Sequence, residues 1–362
     1  MRKFIGLILI VVSTCFGCTE KVERMPVLDA KNLDVVSSTL RLEENLDLLG
    51  DVILDCKLVT DTTFLLISRN KVFLYLNNGV QKSIIGNTGN GPGEYISPDN
   101  VYVSNKFIYI WCRIKNKILV YSKDGVFIKD YLINVSSLSE FVIYKDRLLC
   151  CLYSNSFTGE NKIVEIFDLE TMFSIKKYNT ERQEDFLLAV AHSAGGLSIV
   201  DDKLIWCSPS CLSLLVQDLN KLNDSEHVYR YYDKDFRVEK LGNTATNIIN
   251  RDKRFLLNYL NSNGRILQLE SFNGKIYVIA EVGEIVLNDD GMFDFDNRYF
   301  RIYKFNKDFE PELTMDINYP VNCGLLKILN GTLYVFRGNF TDDDSFVLMD
   351  KYLLDISNNI VK

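Results

Sequence analysis

Histidine is nearly missing from this chain. His192 and His227 are the only two in 362 residues, beside six prolines and two tryptophans. So few imidazoles remove the commonest general acid–base group and metal ligand from almost the whole sequence. Neither histidine stands in a motif with a nucleophile or a metal-ligand set, and both read as incidental loop residues. There is no basic stripe: the net charge is −7, with both signs spread along the chain. That excludes the electrostatic footprint of a nucleic-acid binder and fits an acidic, soluble surface. Beyond the N-terminus no apolar run is long enough to span a bilayer. Asp342-Asp343-Asp344 and Asp289-Asp290 lack the ligand spacing of a calcium loop and read as solvated turns. No catalytic constellation emerges, and nothing in the sequence calls for a cofactor or a metal.

What the chain does have is aromatic residues, 22 Phe and 19 Tyr, a composition suited to β-structure. The N-terminus opens with Arg2 and Lys3, followed by an apolar run over residues 4–12 and then Ser13-Thr14-Cys15-Phe16-Gly17-Cys18. This is the h-region length of a secretory signal. Gly17-Cys18 resembles a bacterial lipoprotein cleavage box, in which the cysteine is acylated and becomes the new N-terminus. Cys15 is the rival, with the poorer Thr14 at the cut. Residues 1–17 are thus expected to be signal peptide and Cys18 the lipidation site, giving a membrane partner through two anchoring chains. Residues 18–34 are polar and aperiodic, and read as a tether. Seven cysteines remain, an odd number that cannot all pair. Most sit among apolar strand residues, where a thiol acts as a small hydrophobe. Cys207 and Cys211 come nearest to a pair, but without further ligands nearby they make a poor zinc site.

From residue 35 onward one motif recurs. Six segments align on an apolar anchor: TTFLLIS at Phe64, KFIYIWC at Ile108, DRLLCCL at Leu148, DKLIWCS at Leu204, GKIYVIA at Ile276 and GTLYVFR at Leu333. Continuous apolar runs of this length suit strands buried on both faces. A second strand follows each anchor (KVFLYL at Lys71, KILVYS at Lys117, KIVEIF at Lys162, SLLVQD at Ser213, YFRIYKF at Tyr299, SFVLMD at Ser345), and a less regular strand precedes each. The spacing predicts an all-β fold, a six-bladed β-propeller of four-stranded antiparallel blades over residues 35–362. With strands lettered A to D from the channel outward, the inner strands read as mostly apolar. Compact apolar runs at 183–191 and 246–260 are expected to be short helices. Either the stretch at 39–42 or that at 352–356 should supply the last outer strand and close the ring.

The A-to-B turns are short, two of them Asn-Gly, which is hairpin chemistry. The long insertions fall between B and C or between D and A, which lie on one face of an up-and-down blade. The glycine-rich stretch GNTGNGPGEY at 86–95 is the first D-to-A crossing. It opens no helix, so it is neither a P-loop nor a dinucleotide fingerprint. Tyr95 should pack between blades and Glu94 should satisfy loop N–H groups. Arg69, Arg113 and Arg337 are expected just after the B strands of blades 1, 2 and 6, on a candidate ligand face with Glu94 and Tyr95.

Residues 86–127, with GPGEY at 91–95 and Leu42-Glu43 before them, resemble the six-bladed β-propeller lipoproteins of Bacteroidetes and, more distantly, NHL/TolB-like propellers. The NHL repeat has Asp after its second strand and Arg before its third; Cys112 and Lys117 stand at those places here, so NHL-type recognition is not implied. The resemblance implies a cell-envelope location, lipid-anchored at the outer membrane and periplasmic or surface-exposed. It leaves three functions open: a binding module for an unknown protein, peptide or glycan, a propeller lyase or lactonase-like hydrolase with a metal in the channel, or a purely structural envelope protein with no ligand pocket on the long-loop face. The scarcity of His and the apolar inner strands weigh against the enzyme.

Overall fold

The computed structural model describes residues 25–32, 38–42, 53–135, 138–155, 160–179, 195–240, 253–287, 293–294, 297–317, 325–340 and 345–354. They form a six-bladed β-propeller of four-stranded antiparallel blades. Blade 1 is Ile53–Thr60, Thr63–Ser68, Val72–Leu76 and Gln81–Ile84. Blade 2 is Pro98–Val103, Phe107–Cys112, Lys117–Ser122 and Phe127–Leu132. Blade 3 is Leu138–Tyr144, Leu148–Asn155, Glu160–Asp168 and Ser174–Asn179. Blade 4 is Gly196–Val200, Lys203–Cys207, Ser213–Asp218 and His227–Tyr232. Blade 5 is Arg265–Phe272, Lys275–Gly283, Arg298–Phe305 and Pro311–Ile317. Blade 6 takes three strands from the C-terminal end, Leu325–Leu329, Thr332–Phe340 and Ser345–Leu353, and its outer strand, Ser38–Arg41, from the other end of the chain.

Of the two candidate closing segments, the N-terminal one therefore closes the ring. Thr39 pairs with Asp350, and Leu42 is 1% exposed between blades 6 and 1. The polar stretch before it is not all tether. Residues 25–32, read as tether, add short parallel fifth strands: Met25–Pro26 beside the outer strand of blade 4, and Ala30–Asn32 beside that of blade 5. Edge pairing uses backbone groups only, so side-chain periodicity gave no sign of it. The propeller thus begins before residue 35.

The core is distributed as six apolar clusters among the described residues, one between each pair of neighbouring blades. Strand B of blade 1 shows why its sequence is apolar without alternation. Leu65 and Ile67 face blade 2, while Phe64 and Leu66 face blade 6. Five described cysteines are buried in this packing and Cys211 is half-buried; all six are free thiols. The Asn-Gly turns are confirmed in detail: Asn273 and Gly274 have φ of 50° and 69°, Asn330 and Gly331 49° and 72°. Two positive φ values in succession are the two-residue turn that matches strand twist. A helix, Lys253–Ser262, lies in the connection between blades 4 and 5, overlapping the expected 246–260 region and running two residues past it. The 183–191 stretch lies outside the described residues.

Candidate functional site

The A strands ring the channel in chain order, each beside the next, with blade 6 returning to blade 1. Four of them are bulged at the same place: between Ile53 and Asp55, Pro98 and Asn100, Leu138 and Glu140, and Ile266 and Gln268. A bulge re-aims the side chain that follows it. Each polar residue after the bulge bonds to the backbone of the next A strand. Asp55 Oδ2 accepts from Val101 N at 3.3 Å, and Asn100 Nδ2 donates to Ser139 O at 2.9 Å. Glu140 Oε2 accepts from Leu197 N at 3.0 Å, and Gln268 Oε1 accepts from Ile328 N at 3.1 Å. These are latches between blades.

Two residues further along, the strands carry Lys57, Tyr102, Ser198, Glu270 and Lys327. Lys57 Nζ of blade 1 lies 3.6 Å from Glu140 Oε1 of blade 3 and 3.3 Å from Glu270 Oε2 of blade 5, so one ammonium ties three alternate blades across the channel. Lys327 Nζ of blade 6 lies 2.9 Å from Asp55 Oδ1 of blade 1. Burial alone would lower the Lys57 pKa; Glu270, Glu140 and Asp55 outweigh it and push it up. Burial pushes the Glu140 and Asp99 carboxyls up, against Lys57 and Lys327 in the first case and Arg113 in the second. The inner strands are therefore polar where they face the channel, which corrects the expectation of apolar ones. Their apolar residues are the alternate ones, packed between blades.

At the end of the channel where the D-to-A connections enter, a cavity of about 70 Å³ is lined by residues of all six blades or their entries, among them Asp99, Asn100, Ser139, Glu140, Gln268 and Lys327. Ligand pockets for drug-sized molecules run to about 300–1,000 Å³. This cavity has room for water, an ion or the tip of a larger group. Among the described residues no three His, Cys, Asp or Glu side chains converge as a metal cluster.

The same face carries the long connections. A-to-B turns such as 61–62, 201–202 and 273–274 are two residues each, whereas the D-to-A connections include 85–97 and 233–264. The longer of these is pinned at both ends by buried charge. Asp233 and Asp235 hold Arg301 Nη1 at 2.7 and 3.0 Å, and Tyr303 OH donates to Asp233 at 2.7 Å. Beyond the helix, Arg298 donates to Asn263 O at 2.8 Å and, with Arg265, holds the Glu281 carboxylate, both at 2.7 Å. Burial raises the Glu281 pKa, but the two guanidinium groups hold it below the usual carboxylate range.

The structure does not gather the sequence-derived candidates into one site on this face. Arg69 and Arg113 are exposed at the B-to-C turns of blades 1 and 2. Arg337 lies inside strand Thr332–Phe340, paired with Leu348, because that strand runs further than the motif indicated. Tyr95 is fully buried between blades 1 and 2, its OH donating to Ile85 O at 2.8 Å and accepting from Val72 N at 3.1 Å. The Glu94 carboxylate accepts from Gly91 N at 2.6 Å. Loop 86–95 is thus a structural crossing, as the sequence implied. Glu94 also lines a groove of about 740 Å³ on the flank of blade 2, beside Lys115, Lys117, Lys129 and Asp130. His227 is exposed on the outer strand of blade 4. Cys18, His192, Asp289-Asp290 and Asp342-Asp343-Asp344 lie outside the described residues.

Sequence reading missed the channel residues. A signal was available: Asn100, Glu140 and Gln268 each stand eight positions before their blade's anchor, and Asp55 nine. A polar residue at a fixed offset in four repeats marks a shared environment that no single repeat reveals.

A family model described as a 6-bladed beta-propeller, DUF5128, matches residues 40–210. No curated protein sequence matches the chain. Among solved structures, a Bacteroides fragilis protein described as exported is similar over 90% of this chain and 98% of its own, at 14% identity and a TM-score of 0.60. A DUF4221 member from Bacteroides vulgatus is similar over 90% and 95%, at 14% identity and a TM-score of 0.54. At such identity these likenesses establish the shared propeller fold.

Proposed function

We propose that this chain is a lipid-anchored, extracytoplasmic propeller that acts as a binding module, taking a protein, peptide or glycan on the face where the B-to-C and D-to-A connections collect. The observation that carries this reading is the asymmetry between the faces. One has A-to-B turns of two or three residues and C-to-D connections of four to eight; the other has an insertion of residues 233–264 held by two buried ion-pair clusters. Recognition residues concentrate on loops that a rigid scaffold positions. The narrow channel mouth favours docking across the face over engulfing a substrate. The signal-like N-terminus with Cys18 supports the envelope location, as does the likeness to a Bacteroides protein described as exported.

Two measurements test it. Native protein should incorporate labelled fatty acid and sediment with membranes, and Cys18→Ala should do neither; a native protein that takes up no fatty acid overturns the anchor, and a Cys18→Ala protein that stays acylated moves the site to another cysteine, Cys15 first. A peptide and glycan screen should return ligands whose binding is lost when the B-to-C connection of blade 5 is shortened. Ligands that instead depend on the short A-to-B turns would place recognition on the opposite face.

A further inference from the structure

We propose that the mouth of the central channel is a site for one hard cation, with Ca²⁺ the best fit. Asp99, the side-chain carbonyl of Asn100 and Glu140 would hold it, and water would complete its shell. This does not depend on the docking reading, since the donors belong to the A strands and not to the loops.

The first observation is an orphan acceptor. Asn100 is 8% exposed and lines the cavity, yet its Oδ1 has no hydrogen-bond partner among the described residues. The orientation of the amide is not arbitrary. Nδ2 donates to Ser139 O at 2.9 Å, and the reversed assignment would set two carbonyl oxygens at that distance. A buried acceptor without a donor costs about 1–3 kcal/mol, so such atoms ordinarily have a partner. The second observation is Asp99, the bulged residue beside it. Asp99 lines the same cavity, and its carboxylate makes no hydrogen bond or ion pair among the described residues, while burial disfavours its charged form. The third is the local charge. Four carboxylates, Asp55, Asp99, Glu140 and Glu270, stand on the A strands with two ammonium groups, Lys57 and Lys327. Lys327 is held by Asp55, and Lys57 by Glu140 and Glu270. Arg113, exposed at the rim, is the remaining cation acting on Asp99.

The donors are all oxygen, which selects a hard cation over zinc or copper. A cavity of about 70 Å³ holds an ion and one or two waters. Because the described residues offer no cluster of three acidic ligands, the ion must keep some water and accept irregular geometry. Ca²⁺ tolerates this better than Mg²⁺, which demands a near-ideal octahedron.

The test uses the purified, lipid-anchored protein in detergent, stripped with EDTA. CaCl₂ is titrated calorimetrically and by thermal melting, with MgCl₂ and methylammonium chloride as parallel arms. The expected result is saturable binding at one ion per chain, and a melting temperature that keeps rising with the logarithm of Ca²⁺ above saturation. Asp99→Asn and Asn100→Ala should each weaken binding at least tenfold, and Asp130→Asn, on the flank of blade 2, should leave it unchanged. Asp99→Asn also separates binding from folding. In EDTA it should melt no lower than the parent, because a desolvated carboxylate has been removed; in millimolar Ca²⁺ the order should reverse. Absence of saturable Ca²⁺ binding overturns the proposal, as does equal affinity in Asp99→Asn, loss of binding in Asp130→Asn, or saturation by methylammonium without Ca²⁺.

Discussion

Tyr95 shows how much one side chain can fix in this protein. Its ring fills the seam between blades 1 and 2, and its hydroxyl bonds to the backbone at both Ile85 and Val72. Two glycines make room for this crossing. Gly86 has a φ of 67°, and an added Cβ would stand 2.5 Å from Tyr121 Oη, which itself donates to Gly93 O at 2.7 Å. Gly93, at φ 71°, would set a Cβ 2.6 Å from the Phe127 ring. Tyr95→Phe keeps the ring and strands two buried backbone groups. It should cost about 1–3 kcal/mol in urea unfolding, with the denaturant slope unchanged. A variant as stable as the parent would mean that water or a small shift satisfies those groups. The tyrosine was legible in the sequence because the glycines around it exclude helix and central strand; the short parallel pair of Asn87–Thr88 with Glu94–Tyr95 lies within the crossing itself. The channel residues were not, since an isolated Asp, Asn or Glu at the start of a strand reads as a solvated turn.

At the scale of the element, the strand Ser38–Arg41 joins the two ends of the chain. It pairs along Ser345–Leu353 and brings Leu42 into the seam between blades 6 and 1. Without it, Ser345–Leu353 would become an open edge, a template for aggregation. A chain beginning at residue 43 loses the buried Leu42, worth about 2 kcal/mol, and several ladder hydrogen bonds of about 1 kcal/mol each. It should melt well below the parent and aggregate on heating. Adding the missing segment as a separate peptide should recover part of the loss; unchanged melting of the truncated chain would show that another segment closes the ring. The sequence narrowed closure to two candidates. It could not choose, because both are short apolar stretches and only pairing geometry separates them.

At the scale of the whole molecule, the ring is cross-linked through its centre. Lys57 ties blades 1, 3 and 5, Lys327 ties blade 6 to blade 1, and the bulge latches tie neighbours. Removing one partner of a buried ionic group is far more costly than removing the whole group. Lys57→Met should therefore destabilise by about 3–5 kcal/mol at neutral pH. Adding Glu140→Gln and Glu270→Gln should restore much of that. The pH dependence has a definite sign. Without Lys57, the folded-state pKa of Glu140, already raised by burial, rises further. A raised carboxyl pKa gives stability that is present in acid and lost as pH climbs through it. The single variant should thus recover toward the parent as pH falls from neutrality, as read by thermal melting. A loss independent of pH would place the role of Lys57 in packing instead.

The amino-acid sequence alone determined the six repeats, their strand order, the hairpin turns and the face on which long connections gather. All of these follow from local patterns, namely apolar runs, Asn-Gly turns and insertion lengths, which a linear chain displays directly. Tertiary structure alone decided which terminus closes the ring, that residues 25–32 join the sheet edges, and that the channel is a polar, ion-paired axis. Closure and edge pairing are made by backbone groups that every residue carries, so sequence cannot distinguish them. The channel brings together residues as far apart as Asp55 and Lys327, whose shared burial exists only once the ring has closed.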